Sequence, residues 1–142
     1  MDTKFQRLQE ALAAQRSYMQ RAKNGAGVDR IMLGLRMMAA EEGMEMPGIF
    51  TDPFFNRSCT WELSTSNAGT ESTDRFGYGP VVNTGYGLGY LIHGNDVRVT
   101  VTGYEDCEEK DIDVHAFGDH FKSALRELHE VATWGQQHAA RA

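Results

Sequence analysis

Two runs rich in β-branched and aromatic residues, 86–93 (YGLGYLIH) and 96–104 (DVRVTVTGY), are separated only by Gly94-Asn95. A glycine-containing two-residue connection between such runs is a strong hairpin signal, so the two are expected to pair antiparallel. The rest of the chain must then arrange itself around a sheet. Upstream, Trp61, Leu63 and Thr65 alternate with Glu62, Ser64 and Ser66, the two-residue repeat of a strand with one face buried. After a polar loop over 67–75, residues 76–82 (FGYGPVV) read as a second short extended piece, turned by Asn83-Thr84-Gly85.

The ends of the chain follow the other period. Phe5, Leu8, Leu12, Ala13 and Met19 recur at three-to-four spacing and predict one helix over 2–23, stopped by Asn24 and the glycines at 25 and 27. A second helix is expected with Asp29 as N-cap, an apolar stripe of Ile31, Met32, Leu35, Met38 and Ala39, and Gly43 at its close. Asp52-Pro53 begins a short helical turn, with Pro at the first helical position. Beyond an acidic loop over 105–113, Phe117, Phe121, Leu125, Leu128 and Val131 mark the buried stripe of a last helix. The expectation is one α/β domain over 1–142, with helices packed on a mixed or antiparallel sheet.

Composition narrows the function classes. The 142 residues carry a net charge of −6, and no Lys/Arg run is long or aromatic-interleaved enough to track a phosphate backbone, which argues against nucleic acid. No stretch reaches the roughly 18 apolar residues of a membrane span, and the charged, amphipathic start has no signal-peptide centre, so the chain reads as soluble. Cys59 and Cys107 are expected as free thiols, and no His, Cys or acidic residues stand at metal-ligand spacing.

Four blocks in order carry a resemblance: residues 27–36 (GVDRIMLGLR), 46–55 (MPGIFTDPFF), 63–66 (LSTS) and 78–90 (YGPVVNTGYGLGY). A fifth, weaker block is acidic, 104–109 (YEDCEE). Each block alone is common, but their order and spacing, including that from Arg30 to Ser64, resemble the C-terminal portion of the carnitine/choline acyltransferase family. The resemblance implies part of the coenzyme A-dependent, chloramphenicol acetyltransferase-like fold. It also implies carnitine and acyl-coenzyme A as substrates, coenzyme A being a co-substrate and not a bound cofactor. In a eukaryote the compartment would be mitochondrial or peroxisomal, otherwise the cytoplasm.

Acyl transfer from a thioester to an alcohol needs a base for the hydroxyl proton and donors for the oxyanion. A quaternary-ammonium acid adds a demand for a guanidinium or hydroxyls at its carboxylate and an aromatic face at its cation. The resemblance implies Arg30 for the carboxylate, favouring carnitine over choline; the alternative is an exposed arginine at a helix start. Ser64 and Ser66 share one face of the predicted strand and Thr65 the other. By resemblance Ser64 binds the carboxylate, Thr65 belongs to the same substrate-binding motif, and Ser66 stabilises the oxyanion; the alternative is a polar strand face in solvent. Tyr78 stands where the family has an aromatic near the trimethylammonium, or is a core aromatic between glycines. Asn67 replaces a Gln that many relatives carry near coenzyme A. Phe76 falls where a bulky side chain closes the acyl tunnel, implying a short or medium acyl chain.

The family's catalytic histidine and its acidic partner lie upstream of this segment, and nothing here resembles that motif. His115 and Asp119 have a suggestive spacing but fall after the family blocks, and read as a solvated helix start. His93, His120, His129 and His138 read as surface or helix-terminal residues. The chain is therefore expected to be a fragment, a split-enzyme polypeptide or a truncated relative, working with the missing N-terminal portion. Self-association over exposed strand edges is also expected. The competing reading is a non-catalytic module that binds a small zwitterion or serves in assembly.

Overall fold

The computed structural model describes residues 1–70 and 72–139. In chain order it forms α1 (Asp2–Lys23), α2 (Val28–Glu41), a 3-10 turn (Gly48–Phe50), α3 (Pro53–Ser58), β1 (Leu63–Ser66), β2 (Tyr86–His93), β3 (Asp96–Thr102) and α4 (Val114–Ala139). The chain divides into two compact units, Met1–Phe55 with the chain from Ala124 onward, and Asn56–Ser123. No helix among the described residues is long and apolar enough to cross a membrane.

The first unit is helical. α1 stops at Asn24, and Gly25 takes the positive φ of +79° that a side chain would resist. Asp29 does not cap α2 as expected: Gly27 holds that position with extended backbone and no side-chain bond, and Asp29 sits inside the first turn. The glycine-led exit from α1 starts the helix two residues early, and the carboxylate still complements the positive end of the helix dipole. Asp52 Oδ1 accepts from the Phe54 and Phe55 amides at 2.8 and 3.2 Å, which nucleates α3 as its Asp-Pro start implied. The Phe5 ring meets Trp134 edge-on at 6.2 Å, tying α1 to the late part of α4. The apolar stripes are covered only in part: Val131, Ala39 and Phe50 are buried, whereas Leu12, Met19, Leu125, Leu128 and much of α2 remain exposed.

The second unit holds a three-stranded mixed sheet in the order β1-β2-β3. The Gly94-Asn95 connection makes the hairpin its residues dictate, with Gly94 at φ +39° and β2 antiparallel to β3 from His93↔Asp96 to Gly87↔Thr102. β1 adds parallel to β2, and the Tyr86 amide bonds the Glu62 carbonyl at 2.7 Å where that pairing begins. Asp113 Oδ1 accepts from the amides of His115 and Ala116 at 2.9 and 2.8 Å and so starts α4. Phe117 then stacks on Tyr86 at 4.3 Å, a contact contributing about 0.5–1.5 kcal/mol beyond its buried area, and this lays the helix start on one face of the sheet. The expected α/β layering is what forms.

One expected element does not pair. Residues 76–82 join no strand ladder, and only their turn at the end appears as expected, with the Gly85 amide on the Val82 carbonyl at 3.0 Å. Pro80 has no amide to give a ladder, and the Tyr78 carbonyl is taken by a side chain, as described next.

Candidate functional site

The register of the sheet sets two short rows of residues across its three strands. Ser64 lies opposite Gly87, which lies opposite Thr102; Ser66 lies opposite Gly89, which lies opposite Thr100. Residues in register share a face, so each row runs hydroxyl, glycine, hydroxyl. The alternation also puts Ser64 and Ser66, both half-buried, on the side opposite the exposed Leu63 and Thr65. The more enclosed face of β1 is thus the serine face.

The glycines in those rows make room for the segment that carries Phe76 and Tyr78. A Cβ on Gly87 would come 2.7 Å from the Tyr78 carbonyl oxygen, and one on Gly89 would come 2.5 Å from that of Phe76. The segment therefore beds directly on the backbone of β2, a closeness only glycine permits. Thr102 Oγ1 donates to the Tyr78 carbonyl at 2.5 Å and stands 3.2 Å from the Gly87 carbonyl. Held there, Tyr78 turns its phenol back over the sheet, where the hydroxyl donates to Ser64 Oγ at 3.3 Å and approaches the Leu88 carbonyl at 3.4 Å.

Six of the seven residues singled out from the sequence belong to this second unit. Ser64, Ser66 and Tyr78 come together on one face, and the Phe76 ring stacks on Tyr78 at 6.5 Å. Thr65 and Asn67 are exposed, Thr65 on the other face of β1 and Asn67 just past its end. Arg30 belongs to the helical unit, where it is exposed in the first turn of α2. Beside Phe76 lies a cleft of about 390 Å³ lined also by Leu91, Thr100 and Arg98. Arg98 is held there by ion pairs to Asp74 and Asp96.

His115 and Asp119 are exposed at the start of α4, as are His120, His129 and His138 further along it. His93 differs from its surface expectation. It ends β2 half-buried, and its Nε2 is enclosed without a hydrogen-bond partner among the described residues. Cys59 and Cys107 are both free. Thr100 and Thr102 were not singled out from the sequence, although the two-residue turn already sets them opposite Gly89 and Gly87.

The sequence profile of the choline/carnitine O-acyltransferase family matches residues 1–127. The chain is 35% identical over 98 residues to the mitochondrial carnitine O-acetyltransferase of Saccharomyces cerevisiae, covering 69% of this chain and 15% of that protein. It is 38% identical over 113 residues to the choline O-acetyltransferase of Gallus gallus, covering 80% and 18%. With the peroxisomal carnitine O-octanoyltransferase of Bos taurus the identity is 36% over 119 residues, covering 78% and 19%. The chain thus spans less than a fifth of the length of these relatives. With nearly its whole length matched by the profile and the LSTS strand and glycine-cradled tyrosine segment folded as one unit, the chain belongs to the choline/carnitine O-acyltransferase family.

Proposed function

We propose that this chain supplies the acyl-acceptor side of a site that moves an acyl group reversibly between coenzyme A and carnitine, the catalytic histidine lying in a part of the family's fold outside it. The observation that carries the reading is the pair of half-buried hydroxyls, Ser64 and Ser66, on one sheet face with the Tyr78 ring beside them. In the forward direction the histidine takes the carnitine hydroxyl proton and the oxygen attacks the thioester carbonyl carbon. Ser66 donates to the resulting oxyanion. The carbon–sulfur bond then breaks, and the leaving thiolate takes the proton back from the histidine.

In the same reading Ser64 binds the carnitine carboxylate, with Thr65 completing the substrate-binding strand, and the family resemblance assigns Arg30 of the helical unit to carboxylate recognition. The Tyr78 ring faces the trimethylammonium. Asn67 stands on the coenzyme A side, and Phe76, beside the cleft, limits the acyl group to short or medium length. The compartment proposed is mitochondrial or peroxisomal in a eukaryote, following the names of the relatives, and cytoplasmic otherwise. β1 is an edge strand that exposes Leu63, with Trp61 exposed just before it, which supports self-association when no other part of the fold covers it.

The test is complementation. This chain mixed with carnitine and acetyl-coenzyme A is expected to be inert, and to gain turnover when the upstream portion of a carnitine acyltransferase is added. In that mixture Ser66→Ala should lower turnover by about 10²–10³-fold, as loss of one oxyanion donor does. Continued inertness of a mixture shown to associate would reject the catalytic reading and leave a zwitterion-binding or assembly module.

A further inference from the structure

We infer that Thr102 is a positioning residue: its hydroxyl latches the Tyr78 main chain to the sheet and thereby sets the phenol against Ser64. The latch is built from three features that converge on one point. Thr102 Oγ1 reaches the Tyr78 carbonyl at 2.5 Å and lies 3.2 Å from the Gly87 carbonyl, and a hydroxyl has one proton to share between them. The shorter bond is the one to Tyr78, a residue outside the strand ladder whose carbonyl has no β-sheet partner. Gly87 leaves the space: a Cβ there would lie 2.6 Å from Thr102 Oγ1 and 2.7 Å from the Tyr78 oxygen, so no side chain at 87 is compatible with the latch.

The next row repeats the arrangement without the hydrogen bond. A Cβ on Gly77 would meet the Thr100 methyl at 2.9 Å, so Thr100 supports the segment by contact where Thr102 holds it by a bond. The segment is therefore fixed at one carbonyl and rests on bare backbone on either side of it. Tyr78 is consequently held by its main chain, and its ring by the Ser64 and Leu88 oxygens and the Phe76 stack. Releasing the carbonyl lets the ring leave Ser64. The consequence for carnitine rests on the function proposed above; the latch itself does not.

The experiment uses the chain labelled with carbon-13 in tyrosine, observed by NMR without ligand and then titrated with carnitine. Wild type should show a Tyr78 carbonyl resonance shifted in the direction of a strong hydrogen bond. Thr102→Val should abolish that shift and move the Tyr78 ring signals, and Thr102→Ser should restore both, a rescue that a purely space-filling role would not give. If Thr102→Val loses the fold, the wild-type carbonyl shift and the smaller Thr102→Ala variant decide the same point. Under titration, Thr102→Val should weaken carnitine binding about tenfold, the scale of one lost hydrogen bond. Tyr78 signals identical in wild type and Thr102→Val overturn the latch. Moved signals with unchanged carnitine affinity overturn the positioning role. A wild type that ignores carnitine counts against the proposed substrate pocket, and the ligand-free spectra still decide the latch.

Discussion

The Tyr78 phenol donates to Ser64 Oγ across 3.3 Å, although the two residues come from segments that share no strand pairing. The bond is long, so its net contribution lies at the low end of the usual 0.5–1.5 kcal/mol, and Tyr78→Phe should cost stability by about 0.5 kcal/mol. The ring is the larger matter. If it faces a trimethylammonium, Tyr78→Ala should weaken carnitine binding by about 1–2 kcal/mol while Tyr78→Phe leaves it nearly unchanged. Isothermal titration of the two variants separates them, and equal losses would show that the hydroxyl, not the ring face, meets the ligand.

Gly87 makes a sharper prediction about the fold. Its absent side chain is what allows the Tyr78 carbonyl and the Thr102 hydroxyl to meet, and both neighbours are too close for a methyl to fit. Gly87→Ala should therefore destabilise by about 1–3 kcal/mol, the range for overpacking a close contact. Urea denaturation would measure it. An unchanged midpoint would mean that the segment over the sheet is not bedded as described.

How much of this was readable in the sequence follows from how local each signal is. The hairpin is written in two adjacent residues, Gly94 and Asn95, and its register with them, so the facing pairs Gly87–Thr102 and Gly89–Thr100 follow from counting outward. α1 and α3 were likewise legible in their stops and starts, Gly25 and Asp52. The parallel seat of β1 on β2 was not, because it is made across a long crossover and no short motif records that Ser64 will meet Gly87. Nor could the alternation Trp61, Leu63, Thr65 reveal which face would be the more enclosed. Apolar character suggests the leucine face, while the segment lying over Gly87 and Gly89 encloses the serine face. The unpaired state of residues 76–82 depends on a side-chain hydroxyl twenty-odd residues away, which strand propensity does not encode.

The assignment of Arg30 predicts a change of preference and not a general loss. A guanidinium reading a carboxylate makes charge-assisted bonds to carnitine that choline has no group to accept. In the complemented enzyme, Arg30→Asn should weaken carnitine use by about 1.5–3 kcal/mol in kcat/KM and leave choline unaffected. Parallel losses for both substrates would remove Arg30 from the site.

Glu62 predicts how the sheet responds to acid. Its carboxylate bonds Arg57 at 3.0 Å and lies 3.7 Å from Lys110, and its carbonyl receives the Tyr86 amide that begins the β1–β2 pairing. The Arg57 hydrogen bond and charge, followed by the charge of Lys110, hold the Glu62 carboxyl below its ordinary range. A carboxyl lowered in the folded state binds its proton more readily when unfolded, so it adds stability above the ordinary carboxylate range and loses it as the pH falls through the lowered value. The side chain is more than a third exposed and solvent screens the pairs, so the effect is small. Glu62→Gln should accordingly lower the melting temperature slightly near neutral pH, and the gap from wild type should close as the pH falls through the lowered value. High salt should narrow the same gap at neutral pH. A gap that stays constant from neutral to acid pH would place the effect of Glu62 in its packing at the start of β1 and not in its charge.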